Sequence, residues 1–231
     1  MTRKSFRESI EELRTSVLDT AELVIDQLTK VLDCLKTGDK TVAQTVIDAD
    51  DKVNNRCLEI EQDCIDLFAL QQPLAGDLRL IAASFKIASD LERIGDLAVN
   101  LAEYSLAARR SFDLEITVVS IGHDAIMMLN ESLRAYEHDD AEKCQAVVAE
   151  DDNIDTLCLR ASEALTRSLV EHAHKEEEND GETDVWNIEQ ILDDVTRLLL
   201  TIRDIERIAD HAVNISARTL WMINNDSSLI H

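Results

Sequence analysis

The stretch "DLERIGDLAVNL" at residues 90–101 has a near copy, "DIERIADHAVNI", at residues 204–215, with eight of twelve residues identical at an offset of 114. A second pair, "VIDADDKVN" (46–54) and "VVAEDDNID" (147–155), aligns at an offset of 101. Two motifs repeated in the same order mean that one structural unit is written twice. Outward from these anchors, apolar residues recur at helical spacing and predict six helices, over 6–36, 40–70, 76–109, 116–136, 140–175 and 183–222. The breaks carry turn signals: "TGDK", "QQPLAGD" with its Pro73, "RRSFDLE", "EHDD" and the acidic "KEEENDGETD". The fold class is therefore all-α, a tandem pseudo-repeat of two three-helix bundles made from six long antiparallel helices. Residues 1–110 form the first repeat and 111–231 the second. The two offsets, 114 and 101, differ by thirteen residues, and the excess falls near Glu176–Gly181, read as a longer solvated hairpin tip.

Composition agrees with this reading. One Pro and five Gly in 231 residues leave little to punctuate β-turns, and 45% apolar residues suffice for a core. A formal net charge of -24 and a pI near 4.4 exclude nucleic acid and anionic lipid surfaces as partners. The acids are spread along the chain and Lys is scarce beside Arg, the pattern of a halophilic-type acidic protein. No apolar run is long enough to span a bilayer, and "MTRKSFRESIEELR" lacks the apolar core of a signal peptide. The expectation is a cytoplasmic protein without direct membrane insertion. Five Cys (34, 57, 64, 144, 158) lie in helical patterns without a CxxC pair, so they read as buried free thiols.

At 100° per residue, Glu92 and Asp96 share a face with Leu78, Ile81, Phe85 and Val99, and Glu206 and Asp210 share one with Leu192, Val195, Leu199 and Val213. They extend an apolar stripe. Like charges at i, i+4 cost a helix about 0.2–0.5 kcal/mol even in water, and burial unpaired costs more. The bland remedy is an ion pair with Arg93 or Arg207, three residues before Asp96 and Asp210. Either Arg serves one carboxylate better than two. The alternative is a cation held by oxygen ligands. Helices two and three of each half should form a hairpin in which level residues have a constant numerical total. Pairs 50/96 and 54/92 both total 146, centred on Pro73; pairs 151/210 and 155/206 both total 361, centred on Asp180–Gly181. Asp50 and Asn54 should thus face Glu92 and Asp96, and Asp151 and Asp155 should face Glu206 and Asp210. Both an ion-pair network and a metal site suit these eight residues. If metal is bound, the second site, with four carboxylates, should hold it more tightly than the first, where Asn54 replaces one.

The order and spacing of "DADDKVN", "QQPLAGDLRLI", "DLERIGDLAVN", "AEDDNID" and "RDIERIADHAVN" resemble the PhoU family of phosphate-transport regulators over nearly the whole chain. That resemblance implies two three-helix bundles in tandem and a non-enzymatic, negative regulatory role in phosphate uptake. It implies multinuclear metal clusters, of iron, zinc or related ions such as manganese or magnesium, on Glu92, Asp96, Glu206 and Asp210, with Asp50, Asn54, Asp151 and Asp155 opposite. It also implies docking on the ATPase subunit of the phosphate ABC importer and on a sensor histidine kinase, and a homodimer. The chain departs from an even repeat at Asn54, at His211 where the first half has Leu97, and in the hairpin "EHAHKEEENDGETD".

Two rival readings are weighed against this. A di-iron carboxylate enzyme needs two helical Glu-x-x-His motifs, and only Glu171 with His174 qualifies. His172 and His174 point to different faces and suit a solvated tip. No nucleophile elbow, phosphate loop or Cys–His spacing supports catalysis. A generic helical scaffold or adaptor differs from the regulator only in its partner, with Trp186, Trp221 and Met222 as anchor or core residues.

Overall fold

The computed structural model describes the backbone of residues 3–71, 74–108, 115–178 and 185–225, and the side chains of 6–69, 74–108, 117–170 and 189–225. Its repeats begin alike. The first helix, α1 (Arg3–Thr37), stops at Gly38, whose φ of 71° lies in the left-handed region and whose amide closes on the Cys34 carbonyl at 2.7 Å. Asp39 then caps α2, its Oδ1 accepting from the Thr41 and Val42 amides at 2.9 and 3.4 Å. At an offset of 101, Asp139 takes a φ of 54° and Asp140 Oδ1 accepts from the Lys143 amide at 3.0 Å. The offset read from the acidic motifs therefore holds through the turns as well.

The remaining helices are α2 (Lys40–Asp48), α3 (Asp50–Gln71), α4 (Ala75–Ala107), α5 (Glu115–His138), α6 (Ala141–Glu178) and α7 (Val185–Asn224). The six expected rods are present, but the second is interrupted at Ala49, which corrects the expected single helix over 40–70. There the Ala49 amide bonds to the Val46 carbonyl at 3.2 Å, and the side chain of Gln27, reaching across from α1, donates to the Ala49 carbonyl at 3.4 Å. The position equivalent to Gln27 is Met128, which has no such donor, and α6 runs unbroken through Glu150. The proposed boundary at 110, the tip at 179–184 and Pro73 lie outside the described residues, as do the side chains of Glu171, His172, His174 and Trp186.

One continuous set of buried residues runs through both halves, from Leu13 and Val17 of α1 to Ile208 and Ile215 of α7. The repeats meet where α1 packs on α5 and α4 packs on α7. On the first seam, a Cβ added to Gly122 would lie 2.6 Å from Leu32 Cδ2, so only glycine allows that approach. The second seam has an internal two-fold logic. Asp90 of α4 pairs with Arg218 of α7, and Tyr104 of α4 donates to Asp204 Oδ2 of α7 at 3.2 Å. Adding 114 to 90 and 104 gives 204 and 218, so these are one contact seen from each repeat. All five cysteines are buried and unpaired. Among the described residues, no helix is long and apolar enough to cross a membrane.

Candidate metal centre

The break at Ala49 makes Asp50 the first residue of α3, and Asn54 stands one turn later. Asn54 Nδ2 donates to Asp50 Oδ2 at 2.9 Å. Both residues are half-buried, as are Glu92 and Asp96 on the facing α4. Burial raises the Asp50 carboxyl above its usual range, and the charge of Asp96 adds to the rise while the Asn54 hydrogen bond opposes it. The 50/96 level is thus physically present as repulsion across the hairpin. Glu92 acts one turn along: after burial, it is the leading charge that pushes the Cys57 thiol to about 12. A cavity of about 310 Å³ opens over this face, lined by Asp50 and Asp96 together with Arg93, Asn100 and Arg207.

The second hairpin repeats the arrangement with more charge. Asp151 and Glu206 are half-buried and Asp155 and Asp210 are exposed. Burial, then Asp155, Asp210, Asp152 and Glu206, push the Asp151 carboxyl up to about 6. Glu206 and Asp210 are also raised, each by burial first and by Asp155 next. All four carboxylates expected at this site therefore act on one another. Beneath them Cys158, equivalent to Cys57, is pushed to about 12 by burial and by Glu206, Asp155 and Asp210.

The ion-pair remedy is weakly realised. Arg93 approaches Asp96 only to 3.9 Å, with both side chains largely in solvent. Arg207 turns instead to Asp204, at 3.6 Å. The Arg93–Asp96 pair, exposed on both sides, contributes about 0–1 kcal/mol. Asp50 Oδ1, Asn54 Oδ1 and Asp151 Oδ1 are buried oxygens without a hydrogen-bond partner. Such atoms cost about 1–3 kcal/mol each unless something meets them. Among the described residues, no three His, Cys, Asp or Glu side chains already converge as a preformed cage. The donor set and its orphaned oxygens suit a hard or borderline cation that would draw the side chains inward.

The carboxylate faces are not in the core. Leu78 is 43% and Leu192 47% exposed, although Ile81 of the same stripe is fully buried. The stripe therefore straddles the edge of the core, with Ile81 and Val195 buried and Leu78 and Leu192 outside it, and α4 buries residues around most of its girth, including Ala83, Ala88, Leu91 and Leu97. An apolar direction on such a helix does not single out the core side.

Sequence reasoning missed Asp90 and Asp204, both inside the quoted motif. Each is buried, 4% and 0% exposed. Asp90 Oδ1 lies 3.0 Å from His211 Nδ1. Asp204 Oδ1 accepts from Arg203 Nε and an Arg203 terminal nitrogen at 3.1 and 2.9 Å, and Asn100 Nδ2 donates to Oδ2 at 3.4 Å. The signal that could have found them is identity at the 114 offset in an apolar setting.

Fold and site together define a duplicated three-helix-bundle protein with one acidic hairpin face in each copy. The PhoU domain family matches the chain over residues 17–105 and again over 118–219, so the chain belongs to that family. It is 30% identical over 226 residues to a phosphate-specific transport system accessory protein PhoU homolog of Clostridium acetobutylicum, covering 96% of each chain. The crystal structure of PhoU from Pseudomonas aeruginosa superposes with a TM-score of 0.82 at 29% identity, covering 96% of this chain and 100% of that one. The phosphate transport system regulatory protein PhoU from Streptococcus pneumoniae gives 0.81 at 26% identity, covering 96% and 98%.

Proposed function

We propose that the protein is a non-enzymatic cytoplasmic regulator of phosphate uptake that docks on the ATPase subunit of a phosphate ABC importer, and on a sensor kinase where one exists. Each repeat, 1–110 and 111–231, holds metal on its hairpin face, through Asp50, Asn54, Glu92 and Asp96 in the first and Asp151, Asp155, Glu206 and Asp210 in the second. The observation that carries the reading is that both family matches, 17–105 and 118–219, enclose one complete acidic face. The named role of the relatives supports the rest, since they are accessory or regulatory proteins of phosphate transport.

A bound di- or trivalent cation would neutralise the carboxylates and join α3 to α4 and α6 to α7. Iron, zinc, manganese and magnesium all suit oxygen ligands of this kind. The test combines elemental analysis of protein purified without chelator with phosphate uptake in a deletion strain. The wild type is expected to carry metal and to restore repression of uptake in phosphate-rich medium. A variant with Glu92, Asp96, Glu206 and Asp210 changed to Ala should lose both. Equal metal content in the two proteins defeats the sites, and unrepressed uptake with the wild type defeats the regulatory role.

A further inference from the structure

A groove between α5 and α6 holds about 610 Å³ on a side of the second repeat that the acidic hairpin face does not use. Met127, Met128 and Val147 floor it, and Asp124, Glu142 and Glu150 stand along its rim. Met127 is 60% exposed. The groove's one cation, Lys143, is already held by Glu131 at 2.5 Å. Among the described residues, no cationic side chain pairs with Asp124, Glu142 or Glu150.

The internal repeat shows that the bundle does not require this chemistry. At the offset of 101, Met127 and Met128 correspond to Asp26 and Gln27, and Asp124, Glu142 and Glu150 correspond to Leu23, Thr41 and Ala49. In the first repeat those positions are engaged internally: Asp26 accepts from Lys30 at 2.6 Å, and Gln27 serves the break at Ala49. The same helix pair folds without an exposed methionine floor or a triple acidic rim.

We propose that this groove docks a basic amphipathic helix of a partner protein. An apolar side chain of that helix enters the methionine floor, and Lys or Arg residues one turn to either side meet Asp124, Glu142 and Glu150. Unbranched thioether side chains conform to varied apolar anchors, and helix-in-groove recognition uses anchors spaced at i, i+3 and i+4. Charge complementarity selects the occupant. The rim demands a basic segment, and a second copy of this chain, at a net charge of -24, is a poor match. The proposal rests on the reading that the protein acts by docking, not on which protein it docks to.

The test is fluorescence anisotropy with the full chain and a labelled peptide of about 20 residues, helical, with Leu on one face and Lys on the other. A shuffled peptide of identical composition, lacking the apolar face, is the control. Titration in about 1 M KCl shortens the screening length to about 3 Å, which suppresses attraction to overall charge. The amphipathic peptide is expected to bind about tenfold more tightly than the shuffled one, and Met127→Asp to weaken it about tenfold, the scale of an interface anchor. The pair Glu142→Lys with Glu150→Lys should weaken it comparably, while Leu58→Asp, an exposed apolar residue of α3, should leave it unchanged. Equal affinity for the two peptides, or for wild type and Met127→Asp, overturns the proposal. Circular dichroism melts check that each variant folds, and the Lys pair decides if Met127→Asp does not. Capture of the purified ATPase subunit separates the two readings. Retention by Met127→Asp protein as well as wild type keeps the docking, places the ATPase contact outside the groove and leaves the peptide result to judge the groove. Failure of the wild type to capture it sinks that partner and leaves the peptide result to judge the groove.

Discussion

At the scale of single residues, the second site concentrates the consequences. Folding lifts the Asp151 carboxyl from its usual 3.8 to about 6, through burial first and neighbouring carboxylates after. A raised acid means that the metal-free fold keeps its proton where the unfolded chain has released it. Stability from this group is therefore undiminished below about 3.8, falls as pH rises toward 6, and stays reduced above that. Asp151→Asn should raise the stability of chelator-treated protein by about 1–3 kcal/mol at pH 7.5, with almost no effect at pH 4. If Asp151 holds metal as proposed, the same change removes a ligand from the loaded protein and should lower its melting temperature. Calorimetry on both forms at both pH values checks this. A gain in the loaded form equal to that in the stripped form would argue against any metal on Asp151. Asn54 extends the contrast: its amide donates to Asp50, a neutralising contact that Asp155 cannot give Asp151. Titration calorimetry of variants lacking one site or the other should therefore find tighter metal binding at the four-carboxylate site.

At the scale of helices, periodicity located all six rods to within a few residues, because long amphipathic segments with Gly, Pro or acidic breaks signal their own ends. The packing of α3 on α4 and of α6 on α7 was legible for the same reason, since the repeated acidic motifs fall on helices adjacent in the chain. Two features were not legible. The interruption at Ala49 depends on Gln27, a side chain on another helix, and no local signal marks it. The outward placement of Leu78 and Leu192 depends on how many neighbours α4 and α7 have, which a helical wheel does not know. The α1–α5 seam is another such long-range fact, and Gly122 tests it. A branched side chain there must displace Leu32, itself buried, so Gly122→Val should cost about 1–3 kcal/mol through overpacking. Leu32→Ala in the same chain should recover part of the loss, as a double-mutant cycle in denaturant would show. Additive effects would mean that the two residues do not meet.

At the scale of the whole molecule, the two copies of the repeat do not fold as beads on a string. Their buried side chains form one set, and the α4–α7 seam carries the paired contacts Asp90–Arg218 and Asp204–Tyr104 about an internal two-fold. The central pair of that seam also explains the one polar departure in the motif, since His211 in place of a second Leu97 reaches Asp90 across the repeats. Two of the three buried acids among the described residues, Asp90 and Asp204, are matched with donors from the opposite half, while Asp194 pairs with Arg197 of its own helix. Asp204→Ala removes an acceptor that serves Asn100 and Tyr104 of the first repeat as well as Arg203 of its own. Hydrogen bonds to a charged group contribute about 1.5–3 kcal/mol each before solvent replaces the exposed partners, so a net loss of about 2–3 kcal/mol is expected. Amide hydrogen exchange at the slowest positions of α1 and of α6 should register that loss equally, because the continuous core makes one cooperative unit. Loss confined to α5–α7 would instead mean that the repeats unfold independently and that the seam couples nothing.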